Sequence, residues 1–381
     1  MSAHAAPRCL VAGLIAGAIA LAGCGGDDVA SRPSCAKPKA DFGTPTTRLT
    51  FRVPDATPAQ VGQARRIVCA RLAGMGVEHR VTRSAVDRLI VELPRGSELA
   101  SPAAGASVFG AGRLAIYDWE VNVLGPGGVP APHDRLVTGG VDAGHGGALT
   151  LYDAVRRAAR RPVAIGAGNA RASSVFYAVD PQARQVVTGS ANLLREPGAP
   201  TPAAARLAVP ATARDRMRIV EVKPGTIVVR AEQAPDIEPS RARWYVLRDA
   251  VALRGTGIEN LRPDRDPQTG EPVVTFEFSA EGRRIWPRLT RAIADRGRSY
   301  ARGLPGESAN EANQHFAIVV DDAIVSVPYI DFRRNPDGIG ADNGSQVGGG
   351  FTTASARQLA VLLANGPLPA PLELVASSRT P

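Results

Sequence analysis

Residues 353–377 read TASARQLAVLLANGPLPAPLELVAS. Ala356, Leu359, Ala360 and Leu363 recur at helical spacing, so Thr353–Ala364 is predicted to be a helix, stopped by Asn365-Gly366. LPAPLELVAS then reads as a strand. A lone helix and strand cannot bury their own apolar faces, so this pair needs partners elsewhere in the chain. The other end supplies them. Leu49, Phe51 and Val53 alternate with polar residues as a strand. Asp55 or Thr57 caps a helix that starts at Pro58 and repeats Val61, Ala64, Ile67, Val68 and Leu72 before Gly74 and Gly76 end it. HRVTRS (79–84) and RLIVEL (88–93) are two further strands. The joined order is β-α-β-β … α-β, that of a split ferredoxin-like sandwich. The alternative is two separate domains.

Everything between is then an insertion. RLAIYDWE, around Leu114, Ile116 and Tyr117, is one more strand. Residues 123–243 are rich in Gly, Pro, Ala and Arg, with one helix (LYDAVRRAARR, 151–161) and short strands SVFYAVD, RIVEVK and TIVVRAE. From Trp244 the pattern sharpens. PVVTFEFS (272–279) is a strand, and Ser279 caps a helix carrying Ile285, Leu289 and Ile293 on one face, with Pro287 in its first turns. FAIVVDDAIVSVPYI (316–330) is a hairpin turning at Asp321-Asp322. The expected fold is α+β: a split ferredoxin-like base with an inserted α+β head domain. Its segments are a leader (1–24), a linker (25–45), an N-terminal base segment (46–122), a Gly/Pro/Arg-rich insertion (123–243), a head (244–350) and a C-terminal base segment (351–381).

The leader MSAHAAPRCLVAGLIAGAIALAGC has Arg8, a short apolar run and the box Leu21-Ala22-Gly23-Cys24 before GGDD. It looks like a bacterial lipoprotein signal, with Cys24 the acylated residue; the alternative is a plain signal peptide with an accidental cysteine. The implied location is the extracytoplasmic face of the cell membrane, held by lipid. Residues 25–45 form a spacer. Of the four cysteines, Cys9 leaves with the signal and Cys24 is modified. Cys35 and Cys69 remain in an oxidising compartment and are predicted to form a disulfide, the alternative being two buried thiols.

The 381 residues are 44% hydrophobic and 21% charged, which excludes wholesale disorder. Beyond residue 24 no stretch of about 18 apolar residues appears, which excludes a polytopic helical membrane protein. Formal net charge is +9, and lysine occurs only at Lys37, Lys39 and Lys223. The arginine excess reads either as coding bias or as attraction to acidic partners. Because the arginines are scattered along the sequence, the bias reading is preferred and no nucleic-acid partner is expected.

Four stretches resemble, in order, the first periplasmic domain of the SecD/SecDF protein-export membrane protein family. VGQARRIVCARLAGMGVEHRVTRSAVDRLIVELPRG (61–96) is similar through Arg71, Gly76, Val77, Leu93, Pro94 and Gly96, with Arg95 inserted. GEPVVTFEFSAEGRRIWPRLT (270–290) is similar through Pro272, Val274, Phe276, Gly282, Trp286 and Thr290. AIVVDDAIVSVPYI (317–330) contributes Asp321, Ser326, Pro328 and Ile330. GGGFTTASARQLAVLLANGPLPAPLEL (348–374) contributes Phe351, Thr352, Ala356, Leu359, Ala360, Leu363, Gly366, Leu368 and Pro369. Residues 123–243 match loosely or not at all.

The resemblance implies a base and a mobile head that hold emerging polypeptide, with translocating or unfolded polypeptide and Sec translocon components as partners. SecD also has membrane-spanning helices around this domain. Here a lipid anchor stands in front and the sequence ends at Pro381, so holding is expected to be passive or borrowed from a partner.

Chemistry is not expected. The histidines (His4, His79, His133, His145, His315) have no metal-ligand spacing, and no P-loop, G-x-S-x-G or H-E-x-x-H occurs. No cofactor and no metal are implied. Gly348-Gly349-Gly350 reads as a hinge or bulge rather than a phosphate loop. Asp321-Asp322 could meet a cation, but a tight turn calls for such residues anyway. Ser326 with His315 could be a nucleophile and base, though a strand serine in this hairpin reads as structural. The expected function is a non-catalytic polypeptide-binding accessory in export. The alternatives are an envelope scaffold or assembly lipoprotein, and a hydrolase hidden in 123–243, which a pocket of convergent polar groups there would favour.

Overall fold

The computed structural model describes residues 46–95, 97, 99, 108–125, 136–137, 140–141, 149–160, 173–187, 198–207, 209–231, 243–302, 312–348 and 351–379. Cys24, Cys35, the leader, the linker, His4, His133, His145, Gly349 and Gly350 lie outside them. Among the described residues no helix is long and apolar enough to cross a membrane.

The chain begins with β1 (Thr46–Arg52), then α1 (Pro58–Gly74), β2 (Arg80–Ala85) and β3 (Arg88–Pro94). Thr57 and Gln60 form a reciprocal capping box at the start of α1, with Pro58 in its first turn. Next come β4 (Leu114–Asp118), the short α2 (Trp119–Asn122), the paired β5 (Leu136–Val137) and β6 (Gly140–Val141), and α3 (Leu151–Arg160). β7 (Val175–Asp180), β8 (Gln185–Val187), α4 (Pro202–Leu207), β9 (Arg218–Val222), β10 (Thr226–Ala231) and β11 (Arg243–Arg248) follow. Then β12 (Leu253–Arg254), β13 (Ile258–Arg265) and β14 (Pro272–Phe278) lead into the long α5 (Ala280–Ala301). The chain closes with β15 (Gln314–Val320), β16 (Ala323–Ser326), β17 (Tyr329–Ile330), β18 (Ser345–Val347), α6 (Thr353–Ala364) and β19 (Glu373–Arg379).

The two ends of this order share one antiparallel sheet, β19-β1-β3-β2. Phe51 faces Leu89, and Leu49 faces Val91, on the face covered by Val61, Ala64, Val68 and Leu72 of α1. The opposite face carries Arg48, Arg52, Arg80, Glu92 and Glu373 in cross-strand ion pairs, which is what a solvated face requires.

A larger sheet runs β11-β10-β16-β15-β4-β12, with β17 also on β15. Its neighbours are antiparallel except β10 and β16. Strand 114–118, expected in the base, pairs instead with β15 in this sheet. Its burial explains the placement. Ile116 packs into a core with Trp286 and Phe316, while Ala115 and Tyr117 pack into another with Ile227 and Tyr245 on the far side. A strand apolar on both faces needs a layer on each. A smaller sheet, β13-β14-β18, faces α5 across the first of these cores.

Helix α6 departs from the expected arrangement in a similar way. It packs on β13 and β14 rather than over the base sheet, and its buried residues Ala356, Leu359, Ala360 and Leu362 join the core around Trp286. The base core is closed instead by Leu99, Val108, Phe109, Leu368 and Leu372 from connecting segments. A further core brings Tyr152 and Val155 of α3 together with Tyr177, Val179 and Val222, and with Val228 of β10 and Trp244 and Val246 of β11.

Candidate functional site: the passages between base and head

The chain leaves the base through Val108–Arg113 and returns through Asn365–Leu372. Both passages are tied to a single side chain. Arg71, near the end of α1, is fully buried. Its Nη1 donates to the carbonyls of Val108 (3.0 Å) and Gly110 (2.6 Å), and its Nη2 to those of Gly366 (2.7 Å) and Ala111 (3.4 Å). Leu368 N donates to Ala111 O at 2.7 Å, joining the passages directly. A planar guanidinium fork suits this task, because its nitrogens point at several carbonyls at once. Burial lowers the Arg71 pKa to about 10, opposed by the charge of Asp321; the group stays cationic at physiological pH.

Asp321 reaches the same passage from the β15–β16 hairpin. Its Oδ2 accepts from Gly112 N (2.7 Å) and its Oδ1 from Arg113 N (2.8 Å). Both turn residues have positive φ, 49° at Asp321 and 62° at Asp322, as the tight two-residue turn demands. The Asp321 carboxylate is therefore engaged with backbone amides. The ends of α1 and α6 also meet. Arg357 Nε donates to Gly74 O at 3.1 Å, and Val361 packs where a side chain at Gly74 would begin.

The other residues singled out from sequence are dispersed. Ser326 Oγ donates to Gly348 O at 3.0 Å, linking the hairpin to the glycine run before α6. His315 pairs with Glu120: its Nδ1 lies 2.7 Å from Oε1, and its backbone N donates to both carboxylate oxygens. Ser326 and His315 thus each have another partner. His79 Nδ1 is 2.7 Å from Val77 O, and its Nε2 is 3.3 Å from Cys69 Sγ. In the head core Trp286 stacks on Phe278 and meets Phe316 edge to face, each at a centroid separation of 5.1 Å. Among the described residues no group of three or more His, Cys, Asp or Glu is placed to hold a metal ion. In the 123–243 region a shallow, open groove is lined by Thr201, Pro202, Ala203, Arg206, Leu207 and Arg214. That lining contains no carboxylate, histidine or cysteine.

Sequence reading missed a charged cluster beside His315. Asp118 ends β4, receives a hydrogen bond from Arg296 of α5, and lies near Glu120. Burial, the largest influence, raises its pKa to about 6; Arg296 opposes this and Glu120 adds to it. The only sequence signal was two acids in YDWE, which a strand end tolerates without comment.

Sheet edges are the other surfaces able to act. β13 ends the smaller sheet, but a bulge, Pro263 and charged Arg262, Asp264 and Arg265 protect it. β19 ends the base sheet with ELVASSR, without proline, and is exposed over its last five residues. Among the described residues no strand pairs with its outer edge.

Residues 231–370 match the family model described as "SecDF, P1 head subdomain". Among curated proteins, the chain is 30% identical over 207 residues to the protein translocase subunit SecD of Acetobacter pasteurianus, covering 52% of this chain and 34% of that one. It is 33% identical over 128 residues to SecD of Thermobaculum terrenum (34% and 20%), and 27% identical over 204 residues to SecD of Elusimicrobium minutum (47% and 38%). The chain thus spans between a fifth and two-fifths of the length of these relatives. Among solved structures, "Crystal structure of SecDF in Super-membrane-facing form" aligns with a TM-score of 0.41 at 16% identity, over 88% of this chain and 30% of that one. "Structure and function of a membrane component SecDF that enhances protein export" aligns with a TM-score of 0.39, over 86% and 98%.

Proposed function

From a chain whose residues 231–370 match the SecDF P1 head subdomain, we propose a membrane-anchored extracytoplasmic lipoprotein with a SecD-like periplasmic domain that acts as a non-catalytic polypeptide-binding accessory in protein export. The observation that carries this reading is the head-subdomain match over residues 231–370, the same residues that the 108–113 and 365–372 passages join to the base. In this reading Cys24 bears the lipid, and Cys35 bridges to Cys69, which is only 6% exposed. The base, bridge and spacer set where the head stands, and the head meets the translocating chain. An extended segment can also be held by main-chain hydrogen bonds along the outer edge of β19, which carries a bulge at Val375 and a charge at each end but, unlike β13, no proline. No proton-driven step is assigned to these residues; binding and release are passive or driven by a partner.

The test is site-specific photo-crosslinking to a stalled translocating chain, with the probe at Tyr329, which is 49% exposed on the head. Labelled preprotein is the expected product, and its absence at head positions overturns the export role. Recovery of Sec components in a mild-detergent pull-down separates this role from envelope scaffolding, in which none would co-purify.

A further inference from the structure

The sequence shows its arginines as scattered, but the fold gathers some of them. Helix α5 holds six arginines against two acids, Glu281 and Asp295. Its inner side is fixed by Gly282, Trp286, Thr290, Ile293, Ala294 and Gly297, all buried. At about 100° per residue, Arg284, Arg288, Arg291, Arg298 and Arg302 fall on one outer stripe, about 80° wide and about 27 Å long. Arg284, Arg288, Arg291 and Arg302 are exposed, and Arg298 is half-buried. The adjoining loop adds Arg333 and Arg334, both exposed. That loop is held to the helix by Arg298 Nη2 donating to Pro336 O at 2.6 Å, and by Gly338 lying against the backbone of Pro287 and Arg291.

Acidic neighbours answer only part of this charge. Asp337 lies 3.8 Å from Arg291, Asp295 3.5 Å from Arg298, and Asp331 3.5 Å from Arg334. Arg284, Arg288 and Arg302 have no acid within ion-pair distance among the described residues. Arg284 and Arg288 also repel each other at i,i+4. Among the described residues no acid forms an ion pair with either, which points to a partner outside the helix.

We propose that this arginine stripe docks on an anionic lipid surface. The stripe lies on the solvent side of a single helix and does not by itself enclose a peptide. Nor does it offer a stacking platform for nucleotides, since Tyr300 lies about 160° round the helix from Arg284. A row of separate cations along one side of a helix fits an extended field of headgroup charge, in which each arginine adds attraction independently. The proposal deepens the membrane-anchored reading of the previous subsection and takes from it only nearness to a bilayer. It gives the helix a second, reversible hold on that surface.

The experiment uses the full chain carrying Cys24→Ala, so that acylation plays no part, and measures co-sedimentation with phosphatidylcholine vesicles with and without phosphatidylglycerol. Phosphatidylglycerol is expected to tighten binding, and high salt to reverse it. In the same background, Arg284→Glu, Arg288→Glu and Arg302→Glu together should weaken binding to the anionic vesicles by about two orders of magnitude, at roughly a factor of five per arginine near such a surface. Thermal unfolding confirms that this variant is folded. Equal vesicle binding by both proteins overturns the proposal. So does arginine-dependent capture of a homopolymeric RNA or a polyglutamate peptide without vesicle binding. Failure here leaves the preprotein crosslinks untouched, and absence of lipid on Cys24 leaves this measurement valid.

Discussion

Arg71 and Asp321 grip the same passage and share its 111–112 peptide group. The guanidinium takes the carbonyls of Val108, Gly110 and Ala111, and the carboxylate takes the amides of Gly112 and Arg113. The cation thus holds acceptors and the anion holds donors, the guanidinium fully buried and the carboxylate at the partly exposed end of the passage. Because Arg71 also holds Gly366, breaking this pair loosens both passages at once. Arg71→Lys keeps the charge but concentrates its donors on one atom, so some carbonyls lose their partner at about 1–3 kcal/mol each. A loss of about 2 kcal/mol is expected for Arg71→Lys, and about 3–5 kcal/mol for Arg71→Ala, in urea unfolding. Combining Arg71→Lys with Asp321→Asn should be non-additive by at least about 0.5 kcal/mol. Strict additivity would mean that the two groups act on the passage separately.

Gly112 is the weak point of this arrangement. Its φ is 73°, and an added Cβ would collide with Nη2 of Arg71. Gly112→Ala therefore meets backbone strain and displaces the guanidinium together, at a cost of about 2 kcal/mol or more. Unfolding should show a Gly112→Ala penalty that shrinks in an Arg71→Ala background, because the collision is then gone and only the strain remains. A penalty of the same size in both backgrounds would rule out the collision.

Periodicity made the elements legible but not their assembly. The stripe Ala356, Leu359, Ala360 identified α6, and the need to bury it pointed to the N-terminal strands. Strand β19 does pair there with β1, yet the helix covers β13 and β14. An apolar stripe specifies that a sheet is needed and is silent on which. β4 misled for a related reason: Leu114, Ala115, Ile116 and Tyr117 show no alternation, because both faces are buried, and sequence proximity then favoured the base. The passage site was half legible. Arg71, Asp321, Gly366 and Leu368 were each marked by the resemblance, but nothing local says that an arginine on a helix and an aspartate in a turn share one stretch of backbone. The arginine stripe was obscured by composition, since its helical spacing lies within a chain rich in arginine throughout.

The membrane and redox readings make a joint chemical prediction. Mass spectrometry of protein from its own envelope should find acyl mass on Cys24, absent in Cys24→Ala. Thiol counting under denaturing, non-reducing conditions should find Cys35 and Cys69 unreactive until reductant is added. Loss of that bridge, in a Cys35→Ser variant, should lower stability by roughly 3–4 kcal/mol on the chain-entropy account. Two titratable thiols without reductant would leave the N-terminal spacer unfastened to α1.

Asp118 predicts an unusual pH profile. Its carboxyl is raised from 3.8 to about 6, chiefly by burial, so between these values the folded state binds a proton that the unfolded state has released. Stability from this group is fully present below about pH 4 and is lost as pH rises through 6. The shift of about two units sets an upper bound near 3 kcal/mol. The Arg296 contact works in the opposite direction and strengthens as Asp118 ionises. Asp118→Asn removes the titration while keeping the shape, so its stability relative to wild type should rise between pH 5 and pH 7, and Arg296→Met should steepen the wild-type decline. Melting temperatures across that range decide it. Parallel curves for wild type and Asp118→Asn would place the Asp118 carboxyl in the ordinary acidic range, ionised throughout and held so by Arg296.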